Sequence, residues 1–338
     1  LIKNLLIILI VVLLLSSVFM SVINVSAADI KEARKRAEEM LLPMEGVAGI
    51  SHREDPPRII VYLEDEKYKD KIPNEILGFK IEIVVIGKIK ASTMLLQAEQ
   101  RLVPTYTYSE PVSRTSVVRP IVGGISIGVP EEVFGGKMAG TLGVIVKGPG
   151  GDFYILTAAH VIAMDINAKF LPVGTPVLQP GTYDGGTIDD TVGYLYSYIN
   201  IVFGPKGKNY ADAAIAKVTI NRYLINQVLD IDNQTTYLIS GTTEVNVGDY
   251  VNKSGRTTGV TTNKVYDTSA TVKVWYTRTK WAIFYDQILV LQPFVEPGDS
   301  GSIVYKEGKF VGIAFAGSSS VAVVCKAKYI IQGLGVSI

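Results

Sequence analysis

From Arg119 to the C-terminus, glycine and proline keep interrupting short apolar runs, among them Gly143-Val144-Ile145-Val146, Tyr154-Ile155-Leu156-Thr157, Ala213-Ala214-Ile215-Ala216 and Ile288-Leu289-Val290-Leu291. β-Branched side chains lose rotamer freedom in a helix and pack well on a pleated surface, and the turn residues between the runs leave no room for long helices. The pattern restricts this region to an all-β sandwich or barrel. It contains no internal repeat at a solenoid or propeller period, so the strands must close one or two compact cores.

The preceding part has a different texture. Ile30, Ala33, Ala37, Met40 and Leu41 recur at helical spacing among charges of both signs, which predicts an amphipathic helix over about Asp29–Leu42 with those five on its buried face. Strand-like runs follow at Val47–Ile50, Arg58–Leu63 and Phe79–Ile86, with a polar turn or short helix within Glu64–Leu77. Residues 28–97 thus read as a small α/β unit and a candidate pro-segment. Residues 98–118, mixing Thr, Ser, Pro, Tyr and Arg without period, read as a linker, and 119–338 as the β region.

Lys3, the apolar run Leu5–Met20 and the small residues Val25-Ser26-Ala27 form a leader pattern over residues 1–27. Uncleaved, the same stretch is long enough to anchor the chain in a membrane. Both readings put the rest of the protein outside the cytoplasm, secreted or anchored facing out. Cys325 is the single cysteine, so packing must stabilise the fold without an intramolecular disulfide, and its apolar surroundings predict an inert core thiol. With 33 basic against 32 acidic residues, the chain lacks the broad field of a nucleic-acid binder.

Only two histidines are present. His52 lies in the polar run Ser51–Asp55 and reads as a surface residue, whereas His160 ends the hydrophobic run Thr157-Ala158-Ala159-His160. Ser300 sits in Gly298-Asp299-Ser300-Gly301, a tight glycine turn that can present a hydroxyl. Serine is a weak nucleophile unless a base takes its proton and a third group orients that base. His160 is the candidate base. Asp212, just before an apolar run, is the candidate acid, in preference to the Asp189-Asp190 pair in a Gly/Thr-rich turn. Neither histidine has partners at metal-ligand spacing and no phosphate-cradling glycine loop opens a helix, so no metal or cofactor is expected.

The order His160, Asp212, Ser300, within Thr-Ala-Ala-His, Asp-x-Ala-Ile and Gly-Asp-Ser-Gly, resembles the chymotrypsin-like serine peptidases. The segment Val251–Gly259, with Lys253-Ser254-Gly255-Arg256-Thr257-Thr258, is similar to one in the secreted bacterial branch of that family. The resemblance implies a mainly β fold of two six-stranded antiparallel barrels preceded by the small α/β unit, and a serine-type endopeptidase acting on peptide or protein substrates. It also implies an oxyanion hole from the N–H groups of Gly298 and Ser300, and a buried Asp299 that needs a cation. Lys253 is the first candidate for that cation and Arg256 the second. A third source, a new N-terminus at Ile121-Val122-Gly123-Gly124, is disfavoured by Pro120 before the cut.

By the same resemblance, Phe294 would floor the specificity pocket and Ala314, Phe315, Ala316 and Gly317 would wall it, predicting small or medium apolar residues before the cut rather than basic ones. Glu296 at the rim argues weakly the other way. Phe315 departs from the family, which often places there a serine supporting the aspartate, so Asp212 needs another donor. Two rivals remain: a non-catalytic protease-fold binding protein, and a mainly self-processing enzyme cutting near Arg114 or Arg119.

Overall fold

The computed structural model describes residues 27–91 and 105–338. Apart from Ala27, the expected leader lies outside the described residues, as does the first part of the expected linker. Among the described residues no helix is long and apolar enough to cross a membrane.

Helix α1 (Ala27–Leu41) is followed by strands β1 (Val47–Glu54), β2 (Pro57–Leu63), β3 (Phe79–Val85) and the two-residue β4 (Lys90–Ala91). Ile30, Ala33, Ala37 and Leu41 form one stripe of α1 and are buried with Val47, Ile59 and Val61 of the adjoining sheet. Met40, expected on that stripe, falls at its edge and is exposed. A short 3₁₀ helix, Glu66–Lys71, capped by the Asp65 side chain, occupies the polar stretch between β2 and β3. His52, expected at the surface, is instead half-buried on β1, with Arg34 Nη1 of α1 3.3 Å from its Nδ1. Burial and the Arg34 charge lower its pKa.

The β region forms two rings of strands. The first contains β5 (Ser126–Ile127), β6 (Gly140–Thr141), β7 (Val144–Lys147), β8 (Phe153–Thr157), β9 (Pro176–Leu178), β10 (Thr191–Tyr198) and β11 (Ala214–Val218). β6 and β7 act as one strand interrupted at Leu142-Gly143. Antiparallel pairings run β5–β6, β7–β8, β8–β11, β11–β10 and β10–β9, and the bridge between Gly128 and Leu178 closes the ring.

The second ring contains β12 (Tyr250–Gly255), β13 (Gly259–Trp275), β14 (Trp281–Leu291), β15 (Ile303–Lys306), β16 (Lys309–Gly317) and β17 (Val321–Lys326). It closes through β12–β13, β13–β14, β14–β17, β17–β16, β16–β15 and β15–β12, all antiparallel. Val251, Val265, Val290, Phe294, Val304 and Val324 pack together in one buried cluster of this ring. Burying each such side chain is worth about 1.5–3 kcal/mol, enough in aggregate to stabilise a fold without disulfides. A terminal helix, α2 (Ala327–Leu334), follows β17.

The hairpin β13–β14 is longer than a barrel needs, and β1 pairs with its extension, Gly49 opposite Val272 and Ile50 opposite Thr271. The N-terminal sheet therefore continues the sheet of the second ring. Residues 105–118, expected to be a linker, are also bound to the body. Tyr106–Thr107 pairs with Thr235–Leu238, and the buried Arg114 guanidinium donates to the carbonyls of Gly124, Leu229, Asp230 and Gly255, to Ser254 Oγ and to Asn233 Oδ1. Burial lowers its pKa to about 10. The periodicity-free sequence around Arg114 conceals this anchoring because the partners are main-chain carbonyls. Self-cleavage at Arg114 would require drawing that side chain out of all these bonds.

Candidate active site

β8 and β11 pair with Thr157 opposite Ala214. His160 lies on the helical turn Ala159–Ile162 just past β8, and Asp212 just before β11, so the strand register brings the two side by side. His160 Nδ1 is 2.8 Å from Asp212 Oδ2, and the His160 backbone N–H donates to Oδ1 at 3.1 Å. Asp212 is fully buried. Burial alone would raise its pKa, but the His160 charge and the bonds from His160 and Tyr276 outweigh that and leave it lowered. The carboxylate thus stays charged beside the imidazole.

Ser300 is carried on the loop between β14 and β15, where Gly298 and Gly301 have φ of +100° and +95°. A Cβ at Gly301 would lie 2.1 Å from Thr157 Oγ1 and 3.2 Å from the Ala158 nitrogen, so only glycine lets the serine loop seat against the residues leading into His160. Thr141 fixes the same loop from the first ring: its N–H donates to the Ser300 carbonyl at 2.9 Å and its hydroxyl to the Gly298 carbonyl at 2.6 Å. Ser300 Oγ lies 3.2 Å from the Phe315 carbonyl. The N–H groups of Asp299, Gly301 and Ser302 donate to Glu296, Ala314 and Asp299 carbonyls respectively, locking the turn.

Asp299 points inward and is fully buried. Its Oδ1 accepts from the N–H of Thr257 and Thr258, and its Oδ2 from the Thr258 hydroxyl and Glu296 N–H. Lys253 Nζ, equally buried, is 3.5 Å from Oδ2 and also donates to Thr258 Oγ1 and the Gly259 carbonyl. Arg256, the alternative cation, goes elsewhere: it forms a two-pronged pair with Asp184 of the first ring's loops. Ile121, the alternative N-terminus, is buried in a strand with its N–H bonded to the Arg222 carbonyl.

Of the residues expected around a specificity pocket, Ala314, Phe315 and Ala316 line a cavity beside Ser300, together with Val295 and Glu296. Its volume is about 10 Å³, room for roughly one water. Phe294 is packed in the barrel core instead, and Gly317 lines the adjoining cleft of about 520 Å³ with Lys88, Lys90 and Glu296. Burial and the Asp299 charge raise the Glu296 pKa.

Two contacts escaped sequence reasoning. One is the Arg256–Asp184 clamp between the rings. The other is Tyr276, at the tip of the β13–β14 hairpin, whose hydroxyl donates to Asp212 Oδ2 at 2.7 Å. The run Trp275-Tyr276-Thr277-Arg278-Thr279-Lys280-Trp281, a polar turn between aromatics, was the available sign of a hairpin tip there. Among the described residues no group of three or more His, Cys, Asp or Glu side chains could hold a metal ion.

A His–Asp pair on one antiparallel ring and a serine in a glycine-rich loop on the other make a chymotrypsin-like arrangement. No family model and no curated protein matches the sequence. Among solved structures, the chain is similar to a glutamic-acid-specific serine protease, at 22% identity over 64% of this chain and 100% of that one, TM-score 0.47. It is also similar to Thermobifida fusca protease A and Cellulomonas bogoriensis chymotrypsin, at 18% and 19% identity, each over 64% of this chain and 97% of theirs, TM-score 0.46.

Proposed function

We propose that this chain is an exported serine endopeptidase. The observation that carries the reading is the buried Asp212–His160 pair set against a serine loop whose Gly301 touches the residues leading into His160. In that reading Ser300 Oγ attacks the scissile carbonyl while His160 accepts its proton, then returns it to the leaving amine, and water repeats the sequence to release the acyl group. Asp212 fixes the imidazole tautomer and stabilises the imidazolium. The N–H groups of Gly298 and Ser300 receive the oxyanion, and Lys253 with Asp299 supports the loop from behind. Export rests on the leader pattern of residues 1–27. A fluorophosphonate should label Ser300 in the wild type and not in His160→Ala. Absence of labelling in the wild type would favour a protease-fold binding protein.

The small cavity supports a preference for Gly, Ala or Ser before the cut, narrower than the sequence alone suggested. A larger side chain would displace the Val295 or Phe315 walls, and overpacking costs about 1–3 kcal/mol. A peptide-library profile dominated by Lys, Arg or large aromatics at that position would refute this.

The N-terminal unit supports latency. β4 adds to the edge of β16, Ala91 opposite Ala316 and Lys90 opposite Gly317, on the strand where an extended substrate would add. On its other side the Trp275 N–H donates to the Ile89 carbonyl at 3.2 Å. One strand edge cannot pair with two partners, so β4 and substrate compete. Lys90 is exposed, and Lys90→Pro removes an N–H from this short strand. The variant should cleave a small peptide ester several-fold faster per titrated serine than the uncut wild type. Equal rates would show that β4 does not mask the cleft.

A further inference from the structure

We infer that Tyr276 is a positioning residue for the triad: its hydroxyl holds the Asp212 carboxylate in the orientation that fixes His160. The inference rests on the serine-peptidase reading above. Asp212 Oδ1 is held by main chain, the His160 N–H. Oδ2 is shared by two side chains, His160 Nδ1 at 2.8 Å and Tyr276 Oη at 2.7 Å. Without the second donor, the two His160 bonds would hold the carboxylate, and rotation about its broad terminal torsion would meet less opposition. The phenol cannot compete for the carboxylate's charge, because burial and the Asp212 charge raise its pKa well above 10, so it remains a donor throughout the working range.

The placement of Tyr276 is itself constrained. Its ring meets His160 edge-on at 6.0 Å and Phe203 edge-on at 5.3 Å, and stacks on Phe284 at 6.4 Å. Phe284 in turn packs on Phe315, the residue that stands where a hydroxyl was expected. The Tyr276 N–H closes the hairpin tip on the Lys280 carbonyl at 2.9 Å, and the preceding residue, Trp275, is tied to Ile89 and Lys90 of the N-terminal unit. Among the described residues, a further titratable group against Asp212 is Cys325, whose Sγ is 3.8 Å from the Asp212 carbonyl and whose pKa burial pushes up to about 12, so it is neutral. Tyr276 is therefore the side chain beside His160 that can set the carboxylate.

The test is Tyr276→Phe in the full chain, assayed on a small peptide ester. Loss of a hydrogen bond to a buried charge predicts a kcat about tenfold lower with KM within about twofold of wild type. It also predicts that the acid limb of the kcat/KM profile moves to higher pH, because a carboxylate deprived of one donor holds the imidazolium proton more tightly. Phe203→Leu, which disturbs the same ring cluster and leaves the hydroxyl, should leave that limb in place. If Tyr276→Phe fails to fold, 3-fluorotyrosine at position 276 in the wild-type chain makes a stronger donor, and the limb should move to lower pH. A wild-type kcat and an unmoved limb in Tyr276→Phe, or an unmoved limb with 3-fluorotyrosine, would overturn the positioning role. A wild type that neither turns over ester nor labels at Ser300 would instead sink the peptidase reading.

Discussion

Exchanging His160 for alanine is expected to lower kcat by roughly a millionfold, and the double variant His160→Ala, Ser300→Ala should be no slower than either single one. In the proposed mechanism serine and histidine act as a unit: without the imidazole the hydroxyl keeps its proton, and without the hydroxyl the imidazole has nothing to activate. What remains comes from the oxyanion donors and substrate positioning, roughly a thousandfold or more over water. His160→Ala should also lose stability, because the fully buried Asp212 carboxylate is left without the imidazole that offsets its desolvation. Single-turnover acylation and urea unfolding of the three variants check both parts. Additive losses in the double variant would mean that His160 does not serve Ser300.

The candidate site residues were legible because each is attached to a local pattern. His160 follows an apolar strand, Asp212 precedes one, and Ser300 sits in a glycine turn, and the Thr157–Ala214 register then aligns the first two. The all-β character was legible from the alternation of β-branched runs and turns, whereas the division into two rings came with the resemblance. Tyr276 and Arg256 were not, because their partners, Asp212 and Asp184, lie far away in the chain and no motif joins them. The burial of Arg114 was hidden for a related reason: carbonyl acceptors have no residue identity. Phe294 shows the converse limit. A position counted from the nucleophile predicts a pocket floor, yet the side chain turns into the barrel core and Val295 and Glu296 line the cavity. Spacing gives a place on the loop, whereas side-chain direction depends on packing behind it.

Replacing Lys253 by methionine is expected to destabilise the fold by about 3–5 kcal/mol and to abolish activity, because Asp299 loses its cation and Thr258 Oγ1 and the Gly259 carbonyl lose the Nζ donor that even a deprotonated lysine would keep. Adding Asp299→Asn should recover much of the stability, since the remaining group is neutral and keeps acceptors for Thr257 and Thr258. The same pair predicts an alkaline limb. Burial lowers the Lys253 pKa from 10.5 to about 8, against the pull of Asp299 and with the help of the Arg114 charge. Between about 8 and 10.5 the unfolded chain binds a proton that the folded chain has lost, so this group's contribution makes stability rise with pH across that window. Activity should run the other way, falling above about 8 as Asp299 loses its counter-charge and the serine loop its support. Lys253→Arg keeps a cation at every working pH, so its alkaline limb should shift upward by at least about one unit. Matched pH profiles of kcat/KM and of urea midpoints decide: a limb that stays near 8 in Lys253→Arg places the titrating group elsewhere.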